Sequence, residues 1–331
     1  RLISTTRSVR ARIESLLIRS GSSYTKITAQ FETQKRPHEL TCVIDVLIGR
    51  TRKLWKLNKI ARLPRMVVGL LPSILFAPDY VDTLQRSSAA RRDFLDQLIA
   101  VRNPEYFERL LRLRYTLQQR QILLEQARAG RRVDLSIYTE QVCKDSAEIS
   151  WARQQLLQQL TTPAVQIYQS LSSTASPLEF KLQNAAITKA QSIEDWRRAF
   201  NQAAHDLTSR EVAASRNLVG SHRDDLVINK DNQPLREYGS RGEWRSIVIS
   251  LMLSSLNYLE HKLGERPLFL LDDIFSELDQ EHRKKLLPHL LRQQSIITTA
   301  DPSEVPDELR KNARIIAINN SEICTNAPVA S

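Results

Sequence analysis

Residues 268–279 read Leu-Phe-Leu-Leu-Asp-Asp-Ile-Phe-Ser-Glu-Leu-Asp, an apolar run that ends on two acids, Asp272 and Asp273, followed by a second acidic group at Ser276-Glu277-Leu278-Asp279. A short continuous apolar run predicts a strand buried on both faces. Carboxylates at the C-terminal end of such a strand stand in the crevice where α/β sheets bind ligands. Hard carboxylate oxygens at that point suit Mg²⁺ and can orient a water for attack on a phosphoryl group. The plainer reading is a core strand with a solvated acidic turn, and the acid pair alone does not choose between the two.

Upstream, residues 238–246 read Tyr-Gly-Ser-Arg-Gly-Glu-Trp-Arg-Ser and open a helical pattern that runs to about Gly264. Ser240, Arg241, Gly242 and Glu243 offer a hydroxyl and unobstructed backbone N–H groups at a helix start, where the helix dipole favours an anion. Alone, such a turn is an ordinary N-cap. One helix ahead of an apolar strand ending in Asp-Asp, it matches the order of ABC-type ATPases: signature turn, helix, Walker B strand, D-loop.

The resemblance narrows with three further segments. Gly220-Ser221-His222-Arg223-Asp224-Asp225 resembles the Gly-Pro-His-Arg-Asp-Asp segment of the RecF recombination-repair family, and Leu271-Asp272-Asp273 with Ser276-Glu277-Leu278-Asp279 resembles its Walker B and D-loop. Phe76-Ala77-Pro78 and Arg91-Arg92-Asp93-Phe94-Leu95-Asp96 are similar to its Phe-Ser-Pro and Arg-Arg-x-Phe-Leu-Asp stretches. The matches span nearly the whole chain. The resemblance implies an α/β fold: an ABC/SMC-type ATPase head with a mixed sheet and an inserted helical lobe built as an antiparallel hairpin. It divides the chain into head residues 1–84, a helical lobe 85–210, and the motif-bearing head residues 211–331. It implies ATP and Mg²⁺ as cofactors, with Asp272 holding Mg²⁺ through water and Asp273 as general base, a shorter stand-in for Glu. Ser240, Arg241, Gly242, Glu243 and Asp279 would meet the nucleotide across an ATP-dependent homodimer that clamps DNA. Recombination mediator proteins are the further partners it implies, in loading recombinase at gaps.

Four departures from that family stand out. Ser221 replaces a Pro, Glu243-Trp244 replace two Gln, and Trp244 suggests packing at an interface. Ala300 in Ile296-Ile297-Thr298-Thr299-Ala300-Asp301 stands where a Thr is expected, which leaves the γ-phosphate sensor unassigned. No Gly-x-x-x-x-Gly-Lys-Ser/Thr, the loop that cradles phosphates, occurs in the sequence. The expectation is that the cradle belongs to a segment ahead of Arg1. The alternative is a DNA-binding scaffold that kept the head fold and lost nucleotide chemistry.

The 331 residues suffice for one large core or several lobes, and 41% hydrophobic content marks ordinary globular material. A net charge of +11 favours a polyanionic partner. Cys42, Cys143 and Cys324 are widely spaced, and the six His show no metal-ligand pairing, so free thiols, no zinc and a reducing cytoplasmic setting are expected. Residues 66–77, the most apolar stretch, are too few to span a membrane.

Alternation from Tyr24 to about Lys59 predicts a three-stranded antiparallel meander. Residues 87–171 read as helical, with Leu110, Leu117 and Leu124 at heptad spacing and Gly130 at the reversal of a helical hairpin. Ser192 caps a further helix, residues 178–182 suggest an edge strand, and residues 314–318 a last strand. Arg223, Asp224 and Asp225 have two readings, a salt-bridged turn or a nucleotide contact; the residues favour the first. Between residues 86 and 132 there are eleven Arg, no Lys and five acids. Ion pairs at i,i+4 explain part of such a run but not its excess of one sign. Guanidinium forks match phosphate oxygens, so Arg109, Arg112, Arg114 and Arg120 are the expected contacts to duplex DNA backbone. Arg7, Arg10, Arg12 and Arg19 form a second basic segment.

Overall fold

The computed structural model describes residues 2–6, 14–34, 36–47, 50–172, 176–185, 187, 190–319 and 322–324. Arg7, Arg10, Arg12 and most of the C-terminal tail lie outside them. The chain opens with α1 (Leu2–Thr5) and an antiparallel sheet of β1 (Tyr24–Thr33), β2 (Arg36–Leu47), β3 (Arg50–Leu57) and β4 (Ile60–Arg62). The meander therefore has four strands rather than three: a two-residue turn at Asn58-Lys59, both with positive φ, folds β4 back on β3. Its inner face, Leu40, Cys42, Ile44 and Trp55, packs on Ile3 and Val67.

β5 (Ser73–Phe76) leads into α2 (Pro78–Arg86) and α3 (Ser88–Ala100). α4 (Pro104–Arg128) and α5 (Ser136–Leu171) then form the expected hairpin, with Gly130 at φ 81° in the reversal. The helical run is broken once more than expected. Arg102 adopts φ 51° and Asn103 caps α4 by accepting a hydrogen bond from Tyr106 N at 3.1 Å, which turns α4 away from α3.

β6 (Leu178–Gln183), α6 (Ile193–Ala214), β7 (Asp225–Lys230), β8 (Gln233–Pro234) and α7 (Leu235–Tyr238) follow, with Ser192 capping α6 as expected. β6 is the edge of an antiparallel β6–β7–β8 sheet. α8 (Arg241–Leu263), β9 (Leu268–Asp272), α9 (Ile274–Glu277), α10 (Gln280–Leu291), β10 (Ser295–Thr298), α11 (Asp307–Lys311), β11 (Ala317–Asn319) and β12 (Glu322–Cys324) complete the order. β9 lies in the middle of a parallel sheet, with β5 and β10 on its two sides. One hydrophobic core joins the helical hairpin to the sheet through α8, with Ile149, Leu157, Ile247, Leu251 and Phe269 among its buried members.

Asp224 and Asp225 form a structural turn. Asp224 is fully buried, and its carboxylate accepts from Arg153 Nη1 (2.8 Å), Ser150 Oγ (2.7 Å) and Asn184 Nδ2 (2.6 Å). Burial pushes that carboxyl up, while Arg153 is the main influence opposing the shift. Arg153 also grips Asp96 at 2.8 and 2.9 Å, and Arg91 grips Asp225 at 2.7 and 2.8 Å. The turn thus bolts α3 and α5 to β7.

Candidate functional site

β9 delivers Asp272 and Asp273 to the C-terminal end of the parallel sheet. Phe269 and Leu271 are buried on one face, whereas Leu268 and Leu270 are only half-buried on the other. The expectation of a strand covered on both faces is thus met on one. The open face lines a cleft of about 1020 Å³ bounded by Leu75, Leu270, Ile296, Asp272 and Thr298. A neighbouring cavity of about 710 Å³ reaches between α3 and α4, but none of the acids at the strand end lines it.

The parallel register sets Thr298 beside Asp272. Thr298 Oγ1 donates to Asp272 Oδ1 at 2.6 Å, and its carbonyl accepts from Asp273 N at 3.0 Å. Thr298, two residues before Ala300, is the hydroxyl that meets Asp272, and its only signal in the sequence is the apolar-to-hydroxyl change at the end of β10. Asp273 sits at φ 51°, ψ 39°, a left-handed conformation that costs a non-glycine residue on the order of 1 kcal/mol. Ser276 Oγ donates to Asp273 Oδ2 at 2.8 Å and to its carbonyl at 2.9 Å, holding the carboxylate in place. Arg283 of α10 donates to Leu278 O at 2.9 Å and to Phe275 O, which closes the acidic turn. Asp279 caps α10 by accepting from His282 N at 2.9 Å, and that bond, with the His282 ring beside it, lowers its carboxyl.

Ser240 is the N-cap of α8 in a complete capping box with Glu243: Glu243 N donates to Ser240 Oγ at 3.3 Å and Ser240 N donates to Glu243 Oε2 at 2.8 Å. Lys230 Nζ lies 2.5 Å from Glu243 Oε1, and this ammonium, with the Ser240 N–H, holds the Glu243 carboxyl down at about 2. Ser240, Arg241 and Gly242 are exposed, and an added Cβ at Gly242 would meet nothing within 4 Å. The turn therefore presents an open face. Trp244 does not: it is 2% exposed and donates its indole N–H to Leu235 O at 3.1 Å, so it anchors the start of α8 to the core instead of packing at an interface.

The arginines of the helical lobe divide by environment. Arg120 cannot reach a phosphate: it is 2% exposed, its guanidinium spans both oxygens of the fully buried Glu211 at 3.0 and 2.5 Å, and Asn217 and Thr139 accept two further N–H donors. Arg112 makes a two-bond contact with the buried Asp145 at 2.9 and 2.6 Å, and Arg109 lies 3.0 Å from Glu105 and 3.5 Å from Asp145. Arg114 is exposed, with no ion pair to a described residue.

The meander is the more basic surface. Residues 24–65 contain ten Lys and Arg against three acids. The register aligns Lys26 with Val43 and Leu54, and Thr28 with Thr41 and Lys56. Because side chains alternate along a strand, Lys26, Arg50, Arg52 and Lys56 share the face opposite the buried Trp55. All four are exposed, and Arg52 alone among them is ion-paired within the described residues, to Asp45 at 2.7 Å. No helix among the described residues is long and apolar enough to cross a membrane.

No family model matches the chain. The chain is 31% identical over 293 residues to the DNA replication and repair protein RecF of Lactobacillus delbrueckii subsp. bulgaricus, covering 86% of this chain and 77% of that protein. It is 30% identical over 323 residues to the RecF of Herpetosiphon aurantiacus, covering 90% and 82%. Among solved structures it is similar to the recombination mediator protein RecF of the RecFOR pathway in complex with ATPrS (TM-score 0.83, 26% identity, 92% of this chain and 82% of that one). The RecF–ATP complex gives a TM-score of 0.82 at 25% identity, covering 91% and 81%.

Proposed function

The chain belongs to the RecF family of DNA replication and repair proteins, and from that membership we propose that it is the ATP-gated, DNA-binding head of such a protein. The observation that carries the proposal is the meeting of Asp272 and Thr298 on an open cleft at the C-terminal ends of β9 and β10, with Asp273 next in the chain. The donor set is hard oxygen, which suits Mg²⁺ held through water by Asp272. Asp273, fixed by Ser276, takes the proton of the attacking water. Its carboxylate ends one methylene short of a Glu, which favours slow turnover. MgATP, when bound beside Asp272, would supply the phosphoryl group and the negative charge that the α8 start of a second head would meet. Ser240, Arg241 and Gly242 present the open face of the capped α8 start to a nucleotide held by a second copy, with Glu243 completing the cap and Asp279 on the same side of the contact. Hydrolysis then releases the dimer from DNA, in the step of repair where recombinase is loaded with mediator partners.

DNA is met through its backbone by the outer face of the meander, Lys26, Arg50, Arg52 and Lys56, with Arg114 as an exposed contribution from the helical lobe that carries no ion pair to a described residue. This revises the Arg109, Arg112, Arg114 and Arg120 set. Among the described residues the support is charge and exposure, which suit phosphates and carry no base readout.

Calorimetric titration tests the nucleotide reading. Residues 1–331 contain no Gly-x-x-x-x-Gly-Lys-Ser/Thr and are expected to show no micromolar MgATP binding. A chimera with the P-loop segment of a RecF protein joined ahead of Arg1 is expected to bind MgATP with a Kd of roughly micromolar order, and Asp272→Ala in that chimera to lose the Mg²⁺ dependence. A chimera that folds but does not bind would favour the scaffold that lost its nucleotide chemistry.

A further inference from the structure

We propose that His282 is a positioning residue that ties the Asp279 turn to the signature turn of the same chain, so that the two loosen or hold together. Its weight for turnover rests on the nucleotide-sandwich reading above; the tie itself does not. His282 Nδ1 lies 2.9 Å from both carboxylate oxygens of Asp279, and its Nε2 lies 3.3 Å from Ser246 Oγ. Ser246 Oγ is in turn 3.1 Å from Gly242 O, its i−4 carbonyl. A continuous path of three hydrogen bonds therefore runs from the Asp279 carboxylate through an imidazole and a hydroxyl to the glycine of the signature turn. It joins α10 to the first turns of α8 across 36 residues of sequence.

The donors and acceptors fit this path. A carboxylate only accepts, so Nδ1 carries a proton toward Asp279. Ser246 has one hydroxyl proton and is 8% exposed, which keeps water from substituting freely. Nε2 and the Ser246 hydroxyl lie within hydrogen-bonding distance, and the same hydroxyl reaches Gly242 O, so the ring bridges the Asp279 turn and the first turns of α8.

An Asp–His–Ser row also has the order of a nucleophilic triad. Here Ser246 lies within α8, its hydroxyl is engaged by the helix's own carbonyl, and the backbone N–H groups around it serve the helix. A hydroxyl held by its own helix in this way acts as a mechanical link and not as a nucleophile. A purely local role for His282, the capping of α10, is already served by its backbone N–H to Asp279. The ring is not required for the cap.

Hydrogen exchange read by mass spectrometry on residues 1–331, without nucleotide, tests the tie independently of ATP binding. His282→Ala is expected to speed amide exchange in residues 242–246 about three- to tenfold, the range set by one lost hydrogen bond. Ser246→Ala is expected to speed exchange in residues 279–283 similarly, and the double variant to exceed neither single variant. His282→Asn, which can keep the Asp279 bond but cannot reach Ser246, is expected to loosen residues 242–246 and spare residues 279–283. The Asn variant decides the matter if the Ala variant melts early. A change confined to α10 in every His282 variant, or single effects that add in the double variant, would overturn the proposal.

Discussion

Arg120→Glu is expected to abolish the native fold rather than to weaken a DNA contact. Arg120 and Glu211 are 2% and 0% exposed at their side chains, and the guanidinium spans the carboxylate. Glu211 also accepts from Leu218 N at 2.7 Å and Val219 N at 3.3 Å, so the pair fixes the end of α6, the middle of α4 and the entry to the 221–225 turn. Removing one partner of a buried pair costs about 3–5 kcal/mol, because the other charge stays buried without compensation. That is a large part of a stability of roughly 5–15 kcal/mol. Placing a second carboxylate against Glu211 costs more than removal alone. Arg120→Met, which leaves Glu211 unpaired without adding repulsion, should lower the thermal midpoint by roughly 10 °C. Circular dichroism melts of both variants check this. Native-like melting of Arg120→Glu would mean that the buried pair contributes little.

Reversing the meander face should do the opposite: the fold should persist and DNA binding should fail. Lys26, Arg50 and Lys56 are exposed, and no ion pair joins them to a described residue. Lys26→Glu, Arg50→Glu and Lys56→Glu together therefore leave no buried charge stranded. If each contacts one phosphate, the slope of log K against log salt should flatten by about 2.7, from roughly 0.9 per contact. Affinity for duplex near 0.1 M salt should fall on the order of 100- to 1000-fold. Sequence should hardly matter, since phosphates carry none. Fluorescence anisotropy on a labelled duplex across a salt series measures slope and affinity together. An unchanged slope would move the DNA surface elsewhere, to Arg114 and the lobe.

The strand that ends on Asp272 is legible because an apolar run and an acid pair are contiguous, and the Ser240–Glu243 cap because its partners are three residues apart. Helical periodicity showed that the arginines of α4 lie on a helix, but not what packs on it. Glu211, the partner of Arg120, is 91 residues away, and Asp145, the partner of Arg112, is on the facing helix. The basic face of the meander escaped notice for the converse reason. Its cations are spread over strands β1 and β3, and only the register through β2 gathers them. Thr298 likewise becomes a neighbour of Asp272 only when β10 pairs in parallel with β9. An aromatic at Trp244 beside an exposed turn suggests a partner, whereas the helix start aims it at Leu235.

The central claim is that nucleotide held beside Asp272 and Asp273 is closed over by the signature turn of a second copy. Sedimentation velocity of the P-loop chimera, with and without MgATP, tests it most directly. Asp273→Asn should bind MgATP, sediment as a dimer and stay so, because turnover no longer releases the pair. Ser240→Arg should bind MgATP with unchanged affinity and sediment as a monomer, because the exposed cap is blocked while the chain's own Asp272 site is untouched. Dimerisation of Ser240→Arg with MgATP to the same extent as the parent chimera would contradict the account.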